Sequence, residues 1–134
     1  MNTNKNTQAV QQIYADFGNG NIPGIINAVA DNVIWIDPGY PDIPFGSNGR
    51  IKKEIPDFFK SLSETVEFSK FEPREFIADG NNVIVLGYHE GKTKPRNKSF
   101  GHEWIMVWKF DGNGKVASYR AFIDTNDMAK GFRD

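Results

Sequence analysis

The hydrophobic period changes once along this chain, and that change sets its fold class. Up to about residue 63, apolar residues recur mostly at helical spacing; from Val66 to Ile123 they recur at about every second position. Helix-period and strand-period segments each leave one apolar face, and the two faces must cover each other. Helices followed by a run of strands with short connections give an α+β domain with its helices on one face of an antiparallel meander.

The elements follow from local chemistry. Thr7 is expected to cap a helix reaching Phe17, with Val10, Ile13, Tyr14 and Phe17 on one face. Residues 1–6 read as a disordered lead-in. Gly18-Asn19-Gly20-Asn21 ends that helix, because Gly and Asn tolerate the left-handed backbone of a helix stop. A second short helix follows Pro23, and Val33 to Asp37 is a β run. Pro38 to Gly49 carries three prolines and three glycines and reads as a loop, with Tyr40 able to form part of a lid. A third helix is expected from about Arg50 to Ser63, with Pro56 marking a kink or a new first turn. Four strands are expected at about 66–77, 82–92, 99–110 and 115–124. Asp79-Gly80-Asn81-Asn82 and Asp111-Gly112-Asn113-Gly114 supply hairpin turns. Glu72-Pro73 marks a bend or an edge position. A short helical stretch is expected from Met128 to Phe132. The 134 residues read as one domain.

Composition narrows the function classes. The net charge of -1 gives no basic footprint for nucleic acid, and Lys92, Lys94, Arg96 and Lys98 read as a solvated hairpin loop. The absence of cysteine excludes disulfides, thiolate metal sites and a cysteine nucleophile. His89 and His102 are the only histidines, so a zinc or iron site is not expected, and no phosphate loop is present. No stretch has the length of a membrane span, and a soluble, cytoplasmic protein is expected without metal or organic cofactor. The 11 Phe and 3 Trp are the residues of a large core or of an apolar ligand pocket.

The order of these elements resembles a known family. The carriers are Ile13-Tyr14-Ala15-Asp16-Phe17 before a Gly/Asn turn, Ala30 to Trp35, and Gly49-Arg50-Ile51 leading to Phe58-Phe59. His102-Glu103-Trp104, Asp111 to Val116 and Arg120 to Thr125 complete the set. Together they resemble the SnoaL-like branch of the superfamily of nuclear transport factor 2 and ketosteroid isomerase, over about residues 7–130. The resemblance implies a cone, or cystatin-like α+β roll. A strongly curved mixed or antiparallel sheet wraps three N-terminal helices around a deep pocket. It also implies a homodimer through the outer face of the sheet, where Glu103, Lys109 and Tyr119 are placed. Members include isomerases, cyclases, dehydratases, epoxide hydrolases and non-catalytic binding or dimerisation modules, so fold alone does not choose a function.

Strand alternation then nominates residues. On the last strand Val116, Ser118, Arg120, Phe122 and Asp124 share one face, which the resemblance turns toward the cavity. On the preceding strand His102, Trp104, Met106 and Trp108 share a face. If Asp111 and Lys115 flank the turn, His102 lies opposite Asp124, Trp104 opposite Phe122 and Met106 opposite Arg120; a bulge would shift each by one. The expectation is an Asp124 general base with His102 as its partner and Arg120 or Tyr14 stabilising an enolate-like oxygen. SnoaL-like cyclases place an Asp base near Asp124 with a His nearby. The ketosteroid isomerase arrangement, an Asp base with Tyr and protonated Asp donors, is not visible in the residue order. Asp124 before Thr125 equally suits a helix cap. Tyr14, Trp35, Asp37, Phe59, Trp104 and Phe122 are the candidate ligand contacts, with Asp37 also a candidate partner for Arg120. Two functions stay open: a cofactor-independent isomerase, cyclase or dehydratase acting on an apolar carbonyl compound, or a non-catalytic protein of the same fold that binds a hydrophobic metabolite or serves as a dimerisation module. Epoxide hydrolases of the superfamily it resembles use an Asp-Arg-Asp set, of which only Arg120 and Asp124 can be placed.

Overall fold

The computed structural model describes residues 3–133. Helix α1 (Thr3–Gly18) and helix α2 (Ile22–Asn27) precede strands β1 (Val29–Asp37) and β2 (Ser47–Arg50). A 3-10 turn (Lys52–Glu54) leads into α3 (Ile55–Thr65), and the long strands follow: β3 (Val66–Asp79), β4 (Asn82–Thr93), β5 (Ser99–Phe110) and β6 (Val116–Phe122). Helix α4 (Thr125–Ala129) and a last 3-10 turn (Lys130–Phe132) close the chain.

The six strands form one curved, open sheet in the order β2-β1-β6-β5-β4-β3. Neighbours are antiparallel except β1 and β6, which run parallel. α1 contributes Val10 and Ile13 to the core, while Tyr14 and Phe17 pack against it. The helix stops because Gly20 takes φ +71° and its N–H returns to the Phe17 carbonyl at 3.1 Å. Pro56 lies in the first turn of α3, where its missing N–H is not needed.

Several expectations are corrected here. α1 begins at Thr3, so residues 3–6 are helical; residues 1 and 2 lie outside the described residues. The Thr7 hydroxyl does not cap; it donates to the Thr3 carbonyl at 2.9 Å within the helix. The Pro/Gly loop carries strand β2, which pairs with β1. The turn at 111–115 forms as expected, with Asp111 N–H donating to the Lys115 carbonyl at 2.8 Å and Phe110 opposite Val116. One residue later the register slips: Lys109 faces Ser118, Trp108 faces Tyr119, Met106 faces Ala121 and Ile105 faces Phe122. Ala117 is the extra residue of a β-bulge, and a one-residue slip moves every side chain beyond it to the other face. Tyr119 and Ala121 are therefore buried inside, while Arg120 and Phe122 are exposed on the convex face.

Candidate functional site

The concave side of the sheet holds a hollow lined by residues of the four helices and of strands β1, β3, β4, β5 and β6. The space open to the centre of a water molecule is about 70 Å³, and the hollow with its mouth encloses about 640 Å³. Its walls are aromatic and aliphatic. Trp35, Tyr119 and Trp108 form a row across three neighbouring strands, with Trp35 and Tyr119 stacked at 4.0 Å between ring centroids and Tyr119 and Trp108 at 4.6 Å. Phe17, Phe59, Phe68, Phe71 and Met106 also line it. Four polar residues reach this wall: Asp37, Tyr14, Tyr119 and His89.

Asp37 ends β1 on the inward face and is 3% exposed. Arg50, at the end of β2, donates through Nη1 to its Oδ2 at 3.2 Å and to the Phe45 carbonyl at 3.0 Å. The β1–β2 hairpin therefore delivers both members of the pair. Burial pushes the Asp37 carboxyl up to about 7, although Arg50 and the Trp35 and Tyr119 side chains directed at it all pull the other way. Tyr14, on the inward face of α1, donates its hydroxyl hydrogen to Met106 Sδ at 3.1 Å and accepts from Trp108 Nε1 at 3.2 Å. Burial raises its pKa well above the usual phenol range, and Tyr119 is raised in the same way.

His89 projects inward from β4 and is 4% exposed among Phe68, Phe71 and Phe100. Its Nε2 lies 2.9 Å from Nε2 of His102, its cross-strand partner on β5. His102 Nδ1 lies 2.7 Å from Asp127 Oδ2 on α4. That carboxylate also accepts from the Gly101 N–H at 3.0 Å and, through Oδ1, pairs with Lys130 at 2.5 Å. Burial alone would raise Asp127; hydrogen bonds from Lys130, His102 and Gly101 outweigh it and hold the carboxyl down at about 2. Burial, reinforced by the neighbouring His102, brings His89 down to about 3.

A family model for the SnoaL-like domain matches residues 10–119. The chain belongs to the SnoaL-like family. Solved structures agree with a SnoaL-like, NTF2-like assignment. An NTF2-like protein from Burkholderia xenovorans LB400 is 32% identical, with 99% of each chain covered and a TM-score of 0.89. An NTF2-like protein of unknown function from Burkholderia pseudomallei K96243 is 26% identical, covering 96% of this chain and 98% of its own, with a TM-score of 0.85. TerC, crystallised with polyporic acid, is 23% identical over 96% of this chain and 98% of its own, with a TM-score of 0.82, and shares the fold. No curated protein matches the chain. The α+β cone with its aromatic hollow is thus the SnoaL-like scaffold, and the resemblance seen in the sequence holds.

Within this SnoaL-like cavity the nominated residues divide. Tyr14, Trp35, Asp37 and Phe59 line it. Trp104 is fully buried beside the cavity, where it packs on Tyr14 and Phe71; it fits there because its cross-strand partner is Gly87, whose absent Cβ leaves room for the indole. Phe122 is 44% exposed on the convex face, and the Arg120 guanidinium lies over its ring at 5.1 Å. Arg120 does not meet Asp37, whose partner is Arg50. The His102–Asp124 pair does not form. Asp124 is exposed beyond the end of β6 and caps α4, its Oδ1 accepting from the Asp127 N–H at 2.9 Å. His102 does pair with an aspartate, but with Asp127, three residues on. Tyr40 is exposed and is not among the lining residues. The residues missed were Arg50, Tyr119, His89 and Asp127. His89 carried a readable signal: Val83, Val85, Gly87 and His89 alternate onto one face of β4. Arg50 and Asp127 carried none, because loop and helix geometry place them.

Proposed function

We propose that this SnoaL-like chain is a cofactor-independent acid–base catalyst acting on a small, largely apolar carbonyl compound, with Asp37 as the proton-transferring group. The observation that carries this reading is a buried carboxyl on the wall of an aromatic hollow, held up at about 7 by burial, with the Tyr14 hydroxyl lining the same hollow. A carboxyl near neutrality takes a proton and returns it with little cost in either direction. Ionised Asp37 removes a proton next to the carbonyl, and Arg50 holds the carboxylate in place. The developing enolate oxygen meets Tyr14. That hydroxyl gives its hydrogen to a thioether, a weak acceptor, while Trp108 donates to its oxygen. Turning the hydrogen from sulfur to an enolate oxygen exchanges a weak bond for a strong one in a water-poor site. Proton return at another carbon gives isomerisation or cyclisation; expulsion of a leaving group gives dehydration. TerC, a relative in fold, was crystallised with polyporic acid, which supports a small organic molecule as the ligand.

Solvent-deuterium exchange into small aromatic ketones tests this before any product is known. Wild-type protein is expected to catalyse exchange at the carbon next to the carbonyl, and Asp37→Asn to slow it by about 10²–10⁴-fold. Exchange no faster than in buffer, with the ketone bound, would leave a non-catalytic binder as the surviving reading, and equal catalysed exchange in both proteins would rule out Asp37 as the base.

The resemblance also supports a homodimer. The convex face exposes Ile34, Ile105 and Phe122, and Ile105 and Phe122 are cross-strand partners. Light scattering of the wild type should give the mass of two chains, and Phe122→Lys, which puts a charge on that face, the mass of one.

A further inference from the structure

We propose that His89, His102 and Asp127 form a proton relay that gives the cavity a second polar end, an acceptor for the acidic hydroxyl of a phenol or enol. The inference shares the small-molecule cavity with the reading above but does not depend on Asp37. Ionised Asp127 can only accept, so the nitrogen 2.7 Å from it, His102 Nδ1, carries a hydrogen. When His102 carries only that hydrogen, its Nε2 is a lone pair and His89 Nε2, 2.9 Å away, donates to it. The remaining nitrogen, His89 Nδ1, is left as a lone pair, buried and without a hydrogen-bond partner. Buried polar atoms are ordinarily satisfied. A residue that lines an apolar hollow and keeps one unused acceptor is placed to receive a donor from whatever occupies that hollow.

The transfer is balanced. The ligand O–H bond breaks and its hydrogen joins His89 Nδ1. The hydrogen on His89 Nε2 passes to His102 Nε2. The ligand becomes an oxyanion, His89 stays neutral as its other tautomer, and His102 becomes a cation held against the Asp127 carboxylate. No electrons change hands. The surroundings support the direction. The rings of Phe68, Phe71 and Phe100 pack around His89 and carry no charge, and burial with His102 beside it keeps His89 from holding the proton itself. Asp127 and Lys130 are the charged groups at the far end of the chain. Asp124 lies behind Asp127, accepting from its backbone N–H. Glu90 neighbours His89 in β4 but is turned to the other face of the strand, where it accepts from Tyr88. Lys130 is about half exposed, so the relay runs from the hollow to the surface.

The probe is 4-nitrophenol, whose phenolate is yellow and whose phenol is not. At a pH where the free probe is mostly phenol, binding to the wild type is expected to develop the phenolate band. Asp127→Asn should bind at least tenfold more weakly and return the bound probe to the phenol form. His89→Phe should lose the band altogether. Ketone exchange lost with the phenolate band intact would sink the catalytic reading alone, and the band lost with exchange intact would sink the relay alone, which separates the two proposals. A probe that is not bound, is bound only as phenol, or is ionised equally by His89→Phe overturns the relay. Should a variant fail to fold, nitrogen NMR of the wild-type imidazoles decides alone: a bare Nδ1 on His89 with a protonated Nδ1 on His102 is expected, and the opposite tautomers overturn it.

Discussion

Asp37 and His89 are both buried against their own charge, and they pull stability in opposite directions with pH. Asp37 has a folded pKa of about 7, above its ordinary value near 4, so the folded state holds the extra proton between those limits. Its contribution is present below about pH 4 and is lost as pH rises through 7. His89 has a folded pKa of about 3, below its ordinary value near 6.5. Its contribution is present above about pH 6.5 and is lost as pH falls toward 3. Between about pH 4 and 6.5 the two slopes, each up to about 1.4 kcal/mol per pH unit, oppose each other, and the wild-type profile from these two groups is shallow. Asp37→Asn removes the falling limb, so stability should rise with pH across that window. His89→Asn removes the rising limb, so stability should fall with pH. Urea unfolding at half-unit pH steps reads both. Two variants with parallel profiles would show that these groups are not titrating against burial.

At the scale of elements, the decisive feature is one extra residue. Hairpin turns, the helix stop at Gly20 and the first turn at Pro56 were legible because Gly, Asn and Pro act through their own backbone. The inner face of β6 was not, because Ala117 differs in no local property from a regular strand residue, yet its bulge exchanges Arg120 and Phe122 for Tyr119 and Ala121. Strand alternation also placed His102 correctly on the inner face, and the β4–β5 pairing opposes it to His89. What lay out of reach was Asp127, because a helix that starts after β6 folds back over β5. Asp124 belongs to that turn. Its carboxylate caps α4 at 2.9 Å and sits in solvent, where no pocket dries it. Asp124→Ala should therefore cost about 1 kcal/mol, the usual worth of an N-cap, and lower the melting temperature by a few degrees. Ketone deuterium exchange should stay within about twofold of the wild type. A loss of exchange comparable to that of Asp37→Asn would return Asp124 to the chemistry.

The whole molecule is a curved sheet closed around one side of a hollow that its own side chains do not fill. Interiors are otherwise packed to crystal-like density, so an apolar space of about 70 Å³ forgoes dispersion contacts that a larger side chain would make. Ala121 marks where that choice was made. It is 4% exposed, faces the hollow from β6, and lies opposite Met106. Ala121→Leu adds three carbon atoms directly into the space. If the hollow is a ligand site, the variant should gain about 0.5–2 kcal/mol of stability, as cavity-filling changes commonly do. The same change should end binding of any planar probe the wild type accepts. Melting with and without probe separates the two effects. At a hundred times its dissociation constant, a ligand stabilises the wild type by about 2.7 kcal/mol, and the variant should show no such shift from a higher starting temperature. A variant that melts lower and still binds would mean that the ligand lies elsewhere and that the hollow is space the walls cannot yield without strain.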